Sequence, residues 1–316
     1  MLPIAQAFPF LPWGVLNKSY TKDLPTPPGG DPPLDWDPTV PTRVADFWSW
    51  MDRVTDFIAD NIWPRYDGVN RQWLGAAANA ATMQSRTTAD LAVLGHMRAN
   101  GFLGRQPAVD ANVLGRPTHA TWFREEDGPN AFVAKHAYYD ATVSPQQIFD
   151  MATAYLNSHI RKEPGFVSTN FKLRLQRPRP YQMANVLPGV VNFSHLHAAS
   201  ADSPSACSGH ALQGLCAVGG VIETMRATGG FSNQSITCML QYGLDIGDRR
   251  VMAGVHYPTD NLISWIIFLS LADHIYRDPG VKGLVKKAMV EQSVVYQEMK
   301  KNSELSSLLA LLDARV

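Results

Sequence analysis

Residues 249–260 read RRVMAGVHYPTD. Arg250 is followed six residues later by His256, and Asp260 follows His256 at the i, i+4 spacing that lets a carboxylate reach a ring nitrogen if the stretch is helical. Such a pairing fixes the tautomer of the ring and leaves its other nitrogen free. Two earlier stretches complement it. Residues 172–180 read KLRLQRPRP, with Lys172 and Arg179 seven residues apart, close to two helical turns. Both cations are therefore expected on one face of a helix that Pro180 ends. Residues 207–210 read CSGH and precede an apolar run, Ala211 to Val221, that reads as a helix. Its N-terminus, at Ser208 and Gly209, offers N–H groups and positive partial charge to phosphate oxygens, with His210 on the first turn. Three cations, a helix start and two histidines are the parts for binding and moving a phosphoryl group.

Taken in order, the three stretches resemble the superfamily that joins type 2 phosphatidic acid phosphatases, bacterial class A acid phosphatases and vanadium haloperoxidases. Its motifs are Lys-x6-Arg-Pro, Pro-Ser-Gly-His and Ser-Arg-x5-His-x3-Asp. Lys172, Arg179, Pro180, Ser208, Gly209, His210, Arg250, His256 and Asp260 match with the right internal spacing. Cys207 stands where the second motif has Pro, and Arg249 where the third has Ser. The context GDRRVMAGVHYPTD looks most like the class A acid phosphatase branch, and the resemblance covers residues 165–272.

The resemblance implies an all-α helical bundle of the acid phosphatase/vanadium haloperoxidase type and a metal-independent phosphatase acting on phosphate monoesters or diphosphates. Lys172, Arg179 and Arg250, with the Ser208 hydroxyl and the Gly209 N–H, would bind the non-bridging phosphate oxygens. His256, oriented by Asp260, would attack phosphorus to form a phosphohistidine, and His210 would protonate the leaving oxygen. No metal or other cofactor is implied. The alternative is a vanadium haloperoxidase that oxidises halide with hydrogen peroxide, vanadate being held through His256 in the same cradle. A phosphate binder without catalysis is a third class, disfavoured because His210, His256 and Asp260 are all present.

Outside the motifs, residues 1–42 hold ten of the 22 prolines and read as an extended arm, leaving 43–316 as one helical domain. Phe8, Phe10, Leu11 and Trp13 of the arm need an apolar surface: the chain's own helices, a second copy in a homo-oligomer, or the roof of the site. Phe47, Trp48, Met51, Val54, Phe57 and Ile58 recur at helical spacing, as do Trp73, Ala76, Ala77 and Ala80. Residues 102–143 are rich in Gly and Pro and read as a loop, and Ser144-Pro145-Gln146-Gln147 as a capped helix start. His195 and His197 lack a third metal ligand at fitting spacing, so they are expected with Tyr181, Phe193 and Tyr257 around the leaving group. Gly243 and Gly247 form a small strip for close helix passage, and C-terminal helices are expected over about 260–277 and 281–313. No strand pattern is evident.

Lys+Arg and Asp+Glu are 28 each, so the net charge is zero, and with no basic block a nucleic-acid partner is excluded. A small phosphorylated substrate remains the expected partner. The most apolar run, Leu262 to Ala272, is about half a bilayer span, so it reads as a core helix, and only peripheral membrane contact stays open. The N-terminus has no basic n-region and is broken by Pro3, Pro9 and Pro12. It makes a poor signal peptide, which favours the cytoplasm and leaves periplasmic and secreted locations open. Three cysteines without a Cys-x-x-Cys pair indicate neither a disulfide framework nor a zinc site. Cys216 and Cys238 read as core, and Cys207, beside cations and a helix start, is expected to have a lowered pKa.

Overall fold

A computed structural model describes residues 44–97, 163–184, 187, 203–229, 231–252 and 254–316. The arm, the 102–143 loop, the 144–147 helix start, and His195, His197 and Phe193 lie outside them. The described residues are mostly helical, as the sequence predicts.

Helix α1 (Val44–Asn61) turns its predicted stripe inward: Phe47, Met51, Val54 and Ile58 are buried, with Trp50 beside them. The Trp50 indole N–H donates to Ser270 Oγ at 2.8 Å, fastening α1 to the helix that carries Ser270. The second predicted stripe is not helical. Trp73 lies on the short strand β2 (Gln72–Leu74), antiparallel to β1 (Arg65–Asp67), with Tyr66 opposite Trp73. Turn chemistry accounts for the departure: Asp67 Oδ1 accepts the Val69 and Asn70 N–H groups, and Arg71 takes φ +55°. Gly75 closes the hairpin at φ +105°, where a Cβ would lie 2.4 Å from Ala59 O, so only glycine fits. Helix α2 (Ala80–His96) then starts from the Asn79 cap.

Next come α3 (Glu163–Leu175), α4 (Pro180–Ala184), α5 (Gly209–Thr228), α6 (Asn233–Met252) and α7 (Pro258–Ile275). Helices α5 and α7 are apolar on most sides and take the centre, as expected of helices covered all round. Helices α5 and α6 pass closely along the predicted glycine strip. A Cβ at Gly243 would meet Val218 Cγ2 at 2.8 Å, and one at Gly247 would meet Ala211 Cβ at 2.7 Å. This draws Arg249 and Arg250, in the last turn of α6, toward the first turn of α5.

The long C-terminal helix expected over 281–313 is instead four pieces: α8 (Pro279–Gln292), α9 (Val294–Lys301), α10 (Ser303–Ser306) and a 3-10 turn (Ser307–Asp313). The first two breaks have a polar cause. Ser293 caps α9 and donates its hydroxyl to buried Asp248 at 2.9 Å, and Asp248 also accepts the Val294 N–H at 2.7 Å. Asn302 caps α10. Among the described residues no helix is long and apolar enough to cross a membrane.

Candidate active site

Lys172 lies in the last turn of α3, but Arg179 does not share that helix. Gln176 adopts φ +44°, and Arg177 and Arg179 each precede a proline, which disfavours helical backbone at both. The helix ends at Leu175, and Pro180 opens α4 rather than closing α3. The turn brings Arg179 back by another route. Its Nε donates to Ser203 O at 2.7 Å and its Nη1 to Val255 O at 2.6 Å, while Lys172 Nζ donates to Pro204 O. The Ser205 N–H and hydroxyl donate in turn to Arg177 O and Pro178 O. The first motif is thereby stitched to the loop before α5.

That loop delivers Ser208 as the N-cap of α5, its Oγ accepting the Ala211 N–H at 3.4 Å. The Ser208 O–H hydrogen stays free for an anion. Ser208 is also tied to the third motif, its N–H donating to Asp260 O and its carbonyl accepting from Ser264 Oγ at 2.9 Å. Gly209 and His210 follow on the first turn, both half-buried.

His256 and Asp260 are paired, though not within one helix as expected. His256 sits just before α7, whose N-cap is Tyr257, and Asp260 reaches back from the first turn. Asp260 Oδ2 accepts the Tyr257 N–H at 2.9 Å and faces His256 Nδ1 at 3.3 Å. On the other side of the ring, Arg179 Nη1 lies 3.1 Å from Nε2. A guanidinium can only donate, so Nε2 carries the lone pair and Nδ1 the hydrogen. Two neighbours thus select the same tautomer independently.

Lys172, Arg179, Ser208, Arg250, His256 and Asp260 are all buried. Their fields overlap. Burial first, then Arg179, Lys172 and Arg250, drive His256 well below the usual histidine range. Burial, then Arg250, Lys172, Arg249 and Arg179, do the same to His210. Burial and neighbouring Arg179 also lower Lys172. The three motifs, far apart in sequence, converge on one cationic cluster whose charges, with burial, disfavour protonation of both imidazoles. Residues 152–282 match the PAP2 superfamily. The match supports the type 2 phosphatidic acid phosphatase superfamily and, at that level, phosphatase-type hydrolysis. It spans all three motifs of the cluster. Neither curated proteins nor solved structures gave a match.

The PAP2 motifs do not account for the whole site. Arg177, inside KLRLQRPRP, is fully buried and bridges two carboxylates: Nη2 meets Asp90 Oδ2 at 2.7 Å, and Nη1 meets Asp260 Oδ1 at 2.9 Å. Its guanidinium lies between the rings of Tyr257 (3.9 Å) and Trp63 (4.4 Å). Tyr257 is therefore a buried platform, not the leaving-group contact expected of it. The sequence signal for Arg177 is the doubled Arg-Pro; a lone Asp90 on an amphipathic helix gives none. Cys207 also departs from expectation. The thiol is buried, and burial pushes it up to about 12 despite Lys172 pulling it down. Arg249 is buried, donates its Nε to Asp245 O, and adds to the field on His210.

Proposed function

We propose that the chain is a metal-independent phosphatase that hydrolyses phosphate monoesters or diphosphates through a phosphohistidine at His256. One observation carries the reading: Arg179 at Nε2 and Asp260 at Nδ1 hold His256 in the tautomer whose Nε2 bears the electron pair, with Lys172 and Arg250 close enough to act on the same ring. Lys172, Arg179 and Arg250, with the Ser208 hydroxyl and the Gly209 N–H, bind the non-bridging oxygens and stabilise charge shifting in the transition state. As the anion enters, Arg179 exchanges its bond to Nε2 for one to phosphate. Nε2 then forms the N–P bond while the P–O bond to the leaving group breaks. The negative charge of the bound phosphate favours imidazolium, so His210 takes up a proton as substrate binds and delivers it to the departing oxygen. Neutral His210 next takes a proton from water, whose oxygen attacks phosphorus, releasing phosphate and returning Nε2 its pair. Asp260 stabilises the positive charge that His256 carries in the intermediate. The same residues fit vanadate, a phosphate analogue, but no observation favours haloperoxidase chemistry over hydrolysis. Within phosphatases, closeness to the class A acid phosphatases remains a proposal resting on the GDRRVMAGVHYPTD context.

The test is phosphate release from an aryl phosphomonoester in the presence of a chelator, comparing the native chain with His256→Ala. Loss of release in the variant, with an acid-labile phosphoenzyme trapped only on the native chain, supports the reading. Release that survives His256→Ala, or that the chelator abolishes, overturns it.

A further inference from the structure

The pair Asp90–Arg177 lies behind the site, and half of it lies outside the PAP2 match. Asp90 belongs to α2 and is fully buried. It accepts three hydrogen bonds: from Arg177 Nη2 at 2.7 Å, the Thr259 N–H at 3.0 Å and the Thr259 hydroxyl at 2.5 Å; that hydroxyl in turn accepts from Arg177 Nη1 at 2.7 Å. Arg177 Nη1 also holds Asp260 Oδ1, which leaves Oδ2 as the atom that faces His256 Nδ1. A carboxylate free to rotate would offer either oxygen. With Oδ1 pinned by Arg177 and Oδ2 by the Tyr257 N–H, one orientation remains. Burial works against the Arg177 charge, but Asp260 and Asp90 outweigh it and hold the guanidinium protonated above its usual range. Burial raises the Asp260 carboxyl, and Arg177 is the first group that pulls it back.

We propose that Asp90 and Arg177 are positioning residues that fix the Asp260 carboxylate, and through it the His256 ring, so that α2 is part of the active site. The relay runs Asp90, Arg177, Asp260, His256, with Thr259 and the Trp63 and Tyr257 rings holding the guanidinium in plane. Asp90 and Arg177 are fully buried and joined to one another, Thr259 and Asp260, so they act on the rate of attack and not on the affinity of the cradle. The inference rests on the phosphatase reading only for its kinetic readout.

The experiment compares the native chain, Asp90→Asn, Arg177→Met, the double variant and Thr259→Val. It measures kcat and KM for an aryl phosphate, binding of inorganic phosphate by calorimetry, and the His256 Nδ1–H resonance by 15N-edited NMR, assigned against His256→Gln. In Asp90→Asn, kcat is expected to fall about 10–100-fold, as for other residues that orient a reacting group from behind. Phosphate Kd and KM should stay within about twofold, because the cradle is untouched. The Nδ1–H resonance should shift or broaden. The double variant should be no slower than Arg177→Met, because Asp90 acts through Arg177. Thr259→Val, which keeps both charges, should show a smaller change in the same direction, and it carries the test if the charge variants fail to fold. Native kcat with a native Nδ1–H signal in folded Asp90→Asn or Thr259→Val overturns the inference. So do additive losses in the double variant, or a fall in phosphate affinity matching the fall in kcat. If the native chain hydrolyses nothing, the phosphatase reading fails, while the resonance still decides the positioning role.

Discussion

Arg179 Nη1 lies 3.1 Å from His256 Nε2, so one cationic side chain guards the electron pair that the proposed chemistry uses. The same guanidinium is braced on Ser203 O and Val255 O, which fixes it before any substrate arrives. Arg179 therefore has two tasks, selecting the tautomer and binding phosphate. Arg179→Lys keeps a charge but loses the planar fork that spans these partners. It should weaken inorganic phosphate binding about tenfold or more and also lower kcat, read by calorimetry and steady-state kinetics. A variant with native phosphate affinity would show that Arg179 is only a structural brace.

His210→Ala should lower kcat by about 10²–10⁴ for an alkyl phosphate, the usual weight of general acid catalysis. The loss should shrink for a p-nitrophenyl ester, whose phenolate leaves without a proton. Phosphate binding should persist, because the cradle does not need His210. Equal losses for both leaving groups would remove His210 from the acid role.

The pH dependence follows from two depressed histidines. Burial and the cations keep His256 neutral, hence nucleophilic, well below the ordinary histidine pKa of about 6.5. His210 is depressed by burial and Arg250, so the free protein loses the needed acid proton early as pH rises. Both limbs of kcat/KM should fall on the acid side. Bound phosphate adds negative charge that favours imidazolium, so the basic limb of kcat should lie at higher pH than that of kcat/KM. For stability the sign is fixed too: with folded values below unfolded ones, the neutral rings stabilise fully above about pH 6.5 and lose that contribution as pH falls toward the folded values. The melting temperature should drop on acidification, less so in His256→Gln. A melting temperature that rises on acidification would contradict the depressed values.

Cys207 should resist alkylation at neutral pH, since its thiol is buried and held near 12. Mass mapping after iodoacetamide treatment should find it modified only in denaturant. Ready modification of the native chain, faster than of a free thiol, would restore the activated cysteine that its motif position suggests.

Gly247→Leu should lower stability by about 1–3 kcal/mol or more, because even a Cβ there lies 2.7 Å from Ala211 Cβ in a close helix contact. A denaturant midpoint measures this, and an unchanged midpoint would show that α5 and α6 can separate freely.

The helical class was legible in the sequence, and the resemblance of three short stretches to family motifs singled out Lys172, Arg179, Ser208, Gly209, His210, Arg250, His256 and Asp260 as the proposed cradle. The sequence also determined the α5 start at Ser208 and the glycine strip, since caps and small residues act over a few residues. The tertiary structure decided the rest. Arg179 left the α3 helix because positive φ at Gln176 and two prolines interrupt a spacing that alone reads as two turns. Cys207 became inert because burial outweighs the nearby cation, and burial is a property of the whole fold. The role of Asp90 needed the fold most of all: 87 residues separate it from Arg177, and no local pattern signals that an acidic side chain on one helix will meet an arginine from a turn so far along the chain.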